Sequence, residues 1–228
     1  DARGRASETD IYFGLGLQAK PPQGGSRGSA DDVVGIGCVW ADIDFGPGHT
    51  RAVAPDEETA RRILAEAAPE PSLIVHSGGG LHVYWLFKHP WLLEDHSHRD
   101  RAKRLVAGIQ TRLKCAFMRQ GYYLDTTSDL ARLLRIPETL NYKADKPRPV
   151  RLVHPAGNLD GDLLRYGLAD LEAAAEPVVQ PADPIVAGSL SMPDRERRCI
   201  AYIERCPDAI TGDGGHDKTL RAACECYR

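Results

Sequence analysis

The first apolar run of the chain, IYFGLGL (11–17), predicts a short strand. A Gly/Pro-rich loop, PPQGGSRGSADD (21–32), separates it from a near-continuous apolar stretch ending in VWADIDF (39–45), which predicts a buried strand. FGPGHTRAVAP then reads as a loop. DEETARRILAEAA (56–68) combines an acidic first turn with apolar positions at helical spacing and predicts a helix. SLIVHS (72–77), three glycines and LHVYWLFK (81–88) predict a β-hairpin. The stripe Leu105, Ile109, Leu113 and Phe117 predicts a long helix over 94–118. Beyond it, YYLD (122–125) reads as a short strand and SDLARLLR (128–135) as a short helix with Ser128 as N-cap. VRLVHP (150–155) reads as a further strand.

This order of elements predicts an α+β domain with a mostly antiparallel sheet over residues 1–176. Residues 177–193, rich in proline and without periodicity, read as a linker. Two helical patterns, 194–206 and 216–228, flank the turn GDGG and predict a small all-helical C-terminal domain. The last residues, ECYR, stop inside a helical pattern, so the chain is expected to be a fragment of a longer one.

Composition changes this picture little: 42% of the 228 residues are hydrophobic and 27% charged, as in an ordinary globular protein. Charge distribution changes it more. The formal net charge is −3, but residues 31–75 hold nine acids against three bases, and 99–151 hold thirteen bases against five acids. Such segregation allows an anionic partner on one surface despite the acidic total. Six cysteines show no CxxC pair, and the chain has no apolar run of about 18 residues and no signal-peptide pattern. These features predict a cytoplasmic protein with reduced thiols and no membrane partner.

Candidate chemistry starts at Asp42 and Asp44. On a strand both carboxylates project to one face, roughly 6–7 Å apart. Two like charges held beside a core repel unless something positive compensates them. Mg²⁺ or Mn²⁺ would do so, since both favour carboxylate oxygens and two carboxylates can bridge a metal pair. The bland alternative is two exposed acids on the wet face of an edge strand. HSGGGLHVYW (76–85) is the second element: its glycines let backbone approach a ligand and turn N–H groups toward an anion. It is neither a P-loop nor a dinucleotide fingerprint, because no GK[ST] follows and a strand comes next. Ser77 and His82 flank the glycines and could grip phosphate oxygens. The third element, YYLDTTSDLARLLRIPETLNYK (122–143), supplies Asp125 as a possible third metal ligand, with Asp129 competing for the role. It also holds Arg132 and Arg135, i and i+3 on the expected helix, and then Lys143.

Taken in order, these segments resemble the archaeo-eukaryotic primase superfamily, specifically the primase-polymerases of plasmids, phages and other mobile elements. Motif I of that family, hDhD, is ADID (41–44) here. Motif II, often sGxGxH, is SGGGLH (77–82). Motif III, a hydrophobic residue then Asp, is Leu124–Asp125, followed by an arginine and a lysine within LARLLRIPETLNYK (130–143). The resemblance covers about residues 11–155. It implies an RRM-like antiparallel catalytic core joined to an N-terminal α/β unit. It implies Asp42, Asp44, Asp125 and His82 as catalytic residues, the three aspartates holding two Mg²⁺ or Mn²⁺ ions. Ser77, Gly78, Gly80 and His82 would bind the nucleotide, together with Arg132, Arg135 and Lys143. The expected partners are single-stranded DNA template, a primer strand, (d)NTPs and a fused or separate replicative helicase. Relatives commonly read R-x-P-G-T-x-N, and here Glu138 stands at the glycine position.

The C-terminal segment carries C-x6-C-x9-H-x7-C-x-C, which lacks the close pairing of structural zinc sites, so no zinc is expected. Two rival functions remain. A rolling-circle nicking initiator would use Tyr122 or Tyr123 as nucleophile, and it needs a His-hydrophobic-His metal motif. The close pair here, His96 and His98, flanks Ser97 instead. A catalytically silent RRM-like nucleic-acid-binding module is the other.

Overall fold

The structure is a computed structural model and describes residues 9–22, 26–143, 146–155 and 162–176. The chain divides into two units, Asp1–Pro177 and Val178–Arg228. The described residues belong to the first, so the expected linker and C-terminal helices lie outside them. The strands are β1 (Tyr12–Gly14), β2 (Gly16–Gln18), β3 (Val33–Asp44), β4 (Leu73–His76), β5 (Gly80–Leu92), β6 (Leu133–Arg135), β7 (Leu140–Asn141), β8 (Arg148–Pro149) and β9 (Arg151–His154). The helices are α1 (Glu57–Ala67), α2 (His96–Arg119) and α3 (Leu168–Ala175). The fold is mixed α/β around an antiparallel sheet.

The main sheet has the order β2-β3-β5-β4-β9, and every neighbouring pair is antiparallel. β3 and β4 therefore run parallel with β5 between them, so β3–α1–β4 is a split βαβ unit. An RRM-like sheet would return its last strand beside β3. Here β2 fills that place and β9 pairs with β4 instead. β3 is buried on both faces, with Val39, Trp40, Ala41 and Ile43 each at most 1% exposed, as expected of a central strand covered on each side.

The helices α1 and α2 begin where the sequence signals them. Asp56 accepts from Thr59 N at 2.8 Å and Asp95 from His98 N at 2.8 Å, each filling an orphan donor of the first turn. α2 buries Leu105, Ile109, Leu113 and Phe117 against the core.

Three sequence expectations are corrected. IYFGLGL is two strands in two sheets: β1 pairs with β6, and β2 with β3. The break falls at Leu15, whose N–H donates to Arg132 O at 3.0 Å and whose side chain is buried. YYLD is not a strand. Its segment is tied to the sheet by side chains instead of a backbone ladder. SDLARLLR is not a helix; a turn at 130–131 leads into β6, which pairs Leu133, Leu134 and Arg135 with β1. Arg132 thus precedes β6 and Arg135 is its last residue, rather than the two sharing a helix face.

Candidate active site

The β3–β5 register sets Asp42 opposite His82 and Asp44 opposite Gly80, so ADID and SGGGLH meet across one strand pair. Arg132 Nη2 donates to Asp42 Oδ2 at 2.8 Å, and His82 Nε2 lies 3.8 Å from Asp42 Oδ1. Asp44 is half exposed, with His49 Nδ1 3.7 Å from its Oδ2. The repulsion between the aspartates is therefore answered within the chain, chiefly by a guanidinium on Asp42. It leaves a trace at Asp44: burial raises its pKa, the charges of Asp42 and Asp125 raise it further, and His49 and Lys143 pull it down. His82 is 3% exposed, and burial pushes its pKa down to about 4. The charge of Asp42 opposes that shift, while Arg135 and Arg132 add to it. His82 is a neutral imidazole at pH 7, and its Nδ1 has no hydrogen-bond partner among the described residues.

The glycine turn has all four of its carbonyls held. Asn141 Nδ2 donates to Ser77 O at 2.7 Å, Arg148 Nη1 to Gly78 O at 2.9 Å, and Phe45 N to Gly79 O at 3.3 Å. Ser77 closes the turn on Gly80 O through its N at 2.8 Å and its Oγ at 3.1 Å. The oxygens that would repel an anion are thus occupied by donors. Glycine is required at two positions. Gly78 has φ +93°, and a Cβ on Gly80 would lie 2.5 Å from Ile43 O. The missing Cβ lets the turn close on the backbone beside Asp44.

Not every expected residue meets the others. Arg135 is bound to Asp10 at 3.2 Å, and its guanidinium lies 4.9 Å from the centre of the Tyr12 ring. Asp125 is exposed and close enough to act electrostatically on Asp44. Its Oδ1 accepts from Thr126 N at 2.9 Å and from Tyr123 Oη at 3.2 Å. Asp129 pairs with Arg27 at 2.7 Å. Among the described residues, no three His, Cys, Asp or Glu side chains gather at metal-binding distance. The chemistry of Asp42 and Asp44 suits a hard divalent cation, since its charge would answer both the burial and the neighbouring charge of Asp42 that raise the pKa of Asp44. These two residues fit such an ion as donors; Asp125 is a neighbour of the pair in this arrangement.

Sequence reasoning passed over several contributors. Asp10 holds Arg135 and also accepts from Tyr142 N at 2.9 Å. Gln110 fixes the segment carrying Asp125: its Nε2 donates to Trp40 O at 2.9 Å and its Oε1 accepts from Thr127 N at 2.7 Å. Trp40 Nε1 donates to Thr127 O at 2.8 Å and closes the ring. Nothing local marks these residues, because each acts through a partner far away in sequence. Glu138 adopts φ 64°, the conformation that glycine supplies freely in R-x-P-G-T-x-N.

The basic stretch 99–151 is partly consumed inside the fold. Arg99 donates to Val33 O, Arg101 pairs with Glu172, Arg112 binds the carbonyls of Ala67 and Ala174, and Lys114 is buried. Lys143, Lys146 and Arg148 on the β7–β8 hairpin are exposed. The nicking alternative loses its geometry. His96 and His98 open α2, whereas Tyr122 and Tyr123 follow its end, 24 residues on, or about 36 Å along a helix.

No family model and no curated protein sequence matches the chain. Among solved structures, the AEP domain of the primase-polymerase of cyanophage S-2L is similar to it, at 15% identity and a TM-score of 0.49. The match covers 73% of this chain and 70% of that one. Among the described residues no helix is long and apolar enough to cross a membrane.

Proposed function

We propose that this chain is a template-directed nucleotidyltransferase of the primase-polymerase type, making primers and extending DNA from (d)NTPs on a single-stranded template. The observation that carries the reading is the convergence at one end of β3. Asp42 faces His82, Asp44 faces the glycine turn, and Arg132 with Lys143 arrives from a segment about 90 residues downstream. Nucleotidyl transfer needs those parts together: carboxylates for divalent metal, and donors and cations for a triphosphate.

In this reading Asp42 and Asp44 hold Mg²⁺ or Mn²⁺. The ions, when bound, would activate the attacking 3′-hydroxyl and offset charge on the departing pyrophosphate. Arg132, paired with Asp42, would place a cation beside the metal ligands and the nucleotide's phosphates. His82, neutral and buried, offers an N–H to a phosphate oxygen without bringing a charge that would repel metal. The turn presents backbone to the phosphates while its carbonyls stay tied back. Asp125, whose Oδ1 accepts from Thr126 N and Tyr123 Oη, would be the third carboxylate beside the pair.

The test is template-dependent synthesis with and without a primer, comparing wild type with Asp42→Ala/Asp44→Ala. Synthesis that depends on template and Mn²⁺ and is lost in the double variant supports the reading. Equal synthesis by both proteins removes the site. Template binding with no synthesis under any metal points to the silent binding module.

A further inference from the structure

We propose that Arg148 is a phosphate-binding residue, and that the β7–β8 hairpin carrying it is an arm of the nucleotide site. This inference rests on the nucleotidyl-transfer reading and adds a residue that the sequence motifs did not indicate.

The register sets Asn141 opposite Arg148, and the two side chains brace consecutive carbonyls of the glycine turn, those of Ser77 and Gly78. The contact is close. A Cβ on Gly78 would lie 2.9 Å from Arg148 Cβ and 3.1 Å from Asn141 Nδ2, and one on Gly79 would lie 3.7 Å from Arg148 Nη1. Gly78 therefore serves the hairpin's packing as well as the turn's conformation. The guanidinium is held against the glycines by one of its N–H groups.

What distinguishes Arg148 is that it has no counter-ion among the described residues. Arg132 is committed to Asp42 and Arg135 to Asp10. Arg148 is exposed and pairs with no carboxylate among the described residues, while Lys143 and Lys146 on the same hairpin are also exposed. A guanidinium has five donors in a rigid fork, suited to bidentate grip of a phosphate. With one donor anchored to backbone, the fork is pre-oriented, so little side-chain entropy remains to be lost on binding. The anion that fits is the phosphate chain of the incoming nucleoside triphosphate.

The experiment measures equilibrium binding of dAMP, dADP and dATP to the full chain in Ca²⁺, for wild type, Arg148→Gln, Arg148→Lys and Asp42→Asn/Asp44→Asn. A lost charge-assisted contact corresponds to roughly 10- to 100-fold in affinity. Arg148→Gln should weaken dATP by about that factor and dAMP by less than threefold. Arg148→Lys should fall between, and both variants should remain folded by circular dichroism. Unchanged dATP affinity in Arg148→Gln overturns the proposal while leaving the nucleotidyl-transfer reading standing. Equal weakening of all three nucleotides also overturns it, because Arg148 would then only brace the turn. Failure of folded wild type to bind dATP at all overturns both.

Discussion

Replacing Gln110 with leucine should destabilise the fold and loosen the site together. β2 pairs with β3 only as far as Ile36. Beyond that point, Gln110, 1% exposed, satisfies Trp40 O and Thr127 N, and also donates to Thr127 Oγ1 at 3.3 Å. Leucine has similar volume but no polar atoms, so both backbone groups become buried and unpaired. Each such group costs about 1–3 kcal/mol, and the added apolar side chain recovers about 1 kcal/mol. The net loss is about 1–5 kcal/mol, a fall of roughly 2–20 °C in Tm for a chain of this size. Equilibrium urea unfolding, followed by tryptophan fluorescence and far-UV circular dichroism, measures it; Trp40 sits in the network and reports its loss directly. Thr127 is two residues from Asp125, so the variant should also need more Mn²⁺ for half-maximal synthesis. A change below about 0.5 kcal/mol with an unchanged Mn²⁺ requirement would refute the idea that this ring of hydrogen bonds holds the Asp125 segment to β3.

Three further outcomes follow from particular residues. His82 has a folded pKa of about 4 against about 6.5 unfolded, so the unfolded chain takes up its proton first as pH falls. Its contribution is present above pH 6.5 and drains away toward pH 4, at up to about 1.4 kcal/mol per pH unit. Urea midpoints in EDTA should drop more steeply over that window for wild type than for His82→Asn, and parallel curves would contradict this. At Glu138, φ 64° makes Glu138→Gly more stable than Glu138→Ala by about 1 kcal/mol. Thermal melts that rank alanine equal or higher would mean that the turn relaxes out of the left-handed region. Binding of single-stranded template should weaken steeply with salt, as exposed bases of the 99–151 stretch meet its phosphates; a flat dependence would remove that basic stretch from the template path.

The elements legible in the sequence were those with a complete local signal. α1 and α2 carry an aspartate cap and an apolar stripe, and the hairpin around Ser77–Gly80 carries its own turn chemistry. The ADID and SGGGLH segments could be picked out because their residue types are odd for a buried strand and a tight turn. β6 was misread because Leu130, Leu133 and Leu134 fit a helical stripe, while its true partner, β1, lies about 120 residues earlier. YYLD failed for a related reason: Gln110 and Trp40 attach the chain just after it, at Thr127, and no local pattern marks a glutamine that will serve a strand edge. Asp10 and Arg148 were silent for the same cause, since a charged residue in a polar stretch gives no sign of its partner. The basic total of 99–151 misled in a different way, because much of that charge is spent on carbonyls and carboxylates inside the fold.

The central claim is that Asp42 and Asp44, beside Arg132, would hold divalent metal. Titration of the full chain with Mn²⁺ in the presence of dATP, following free Mn²⁺ by electron paramagnetic resonance, tests it most directly. The account predicts tight Mn²⁺ uptake by wild type that is abolished in Asp42→Asn/Asp44→Asn, with the fold intact by circular dichroism. Equal Mn²⁺ uptake by the two proteins would contradict it.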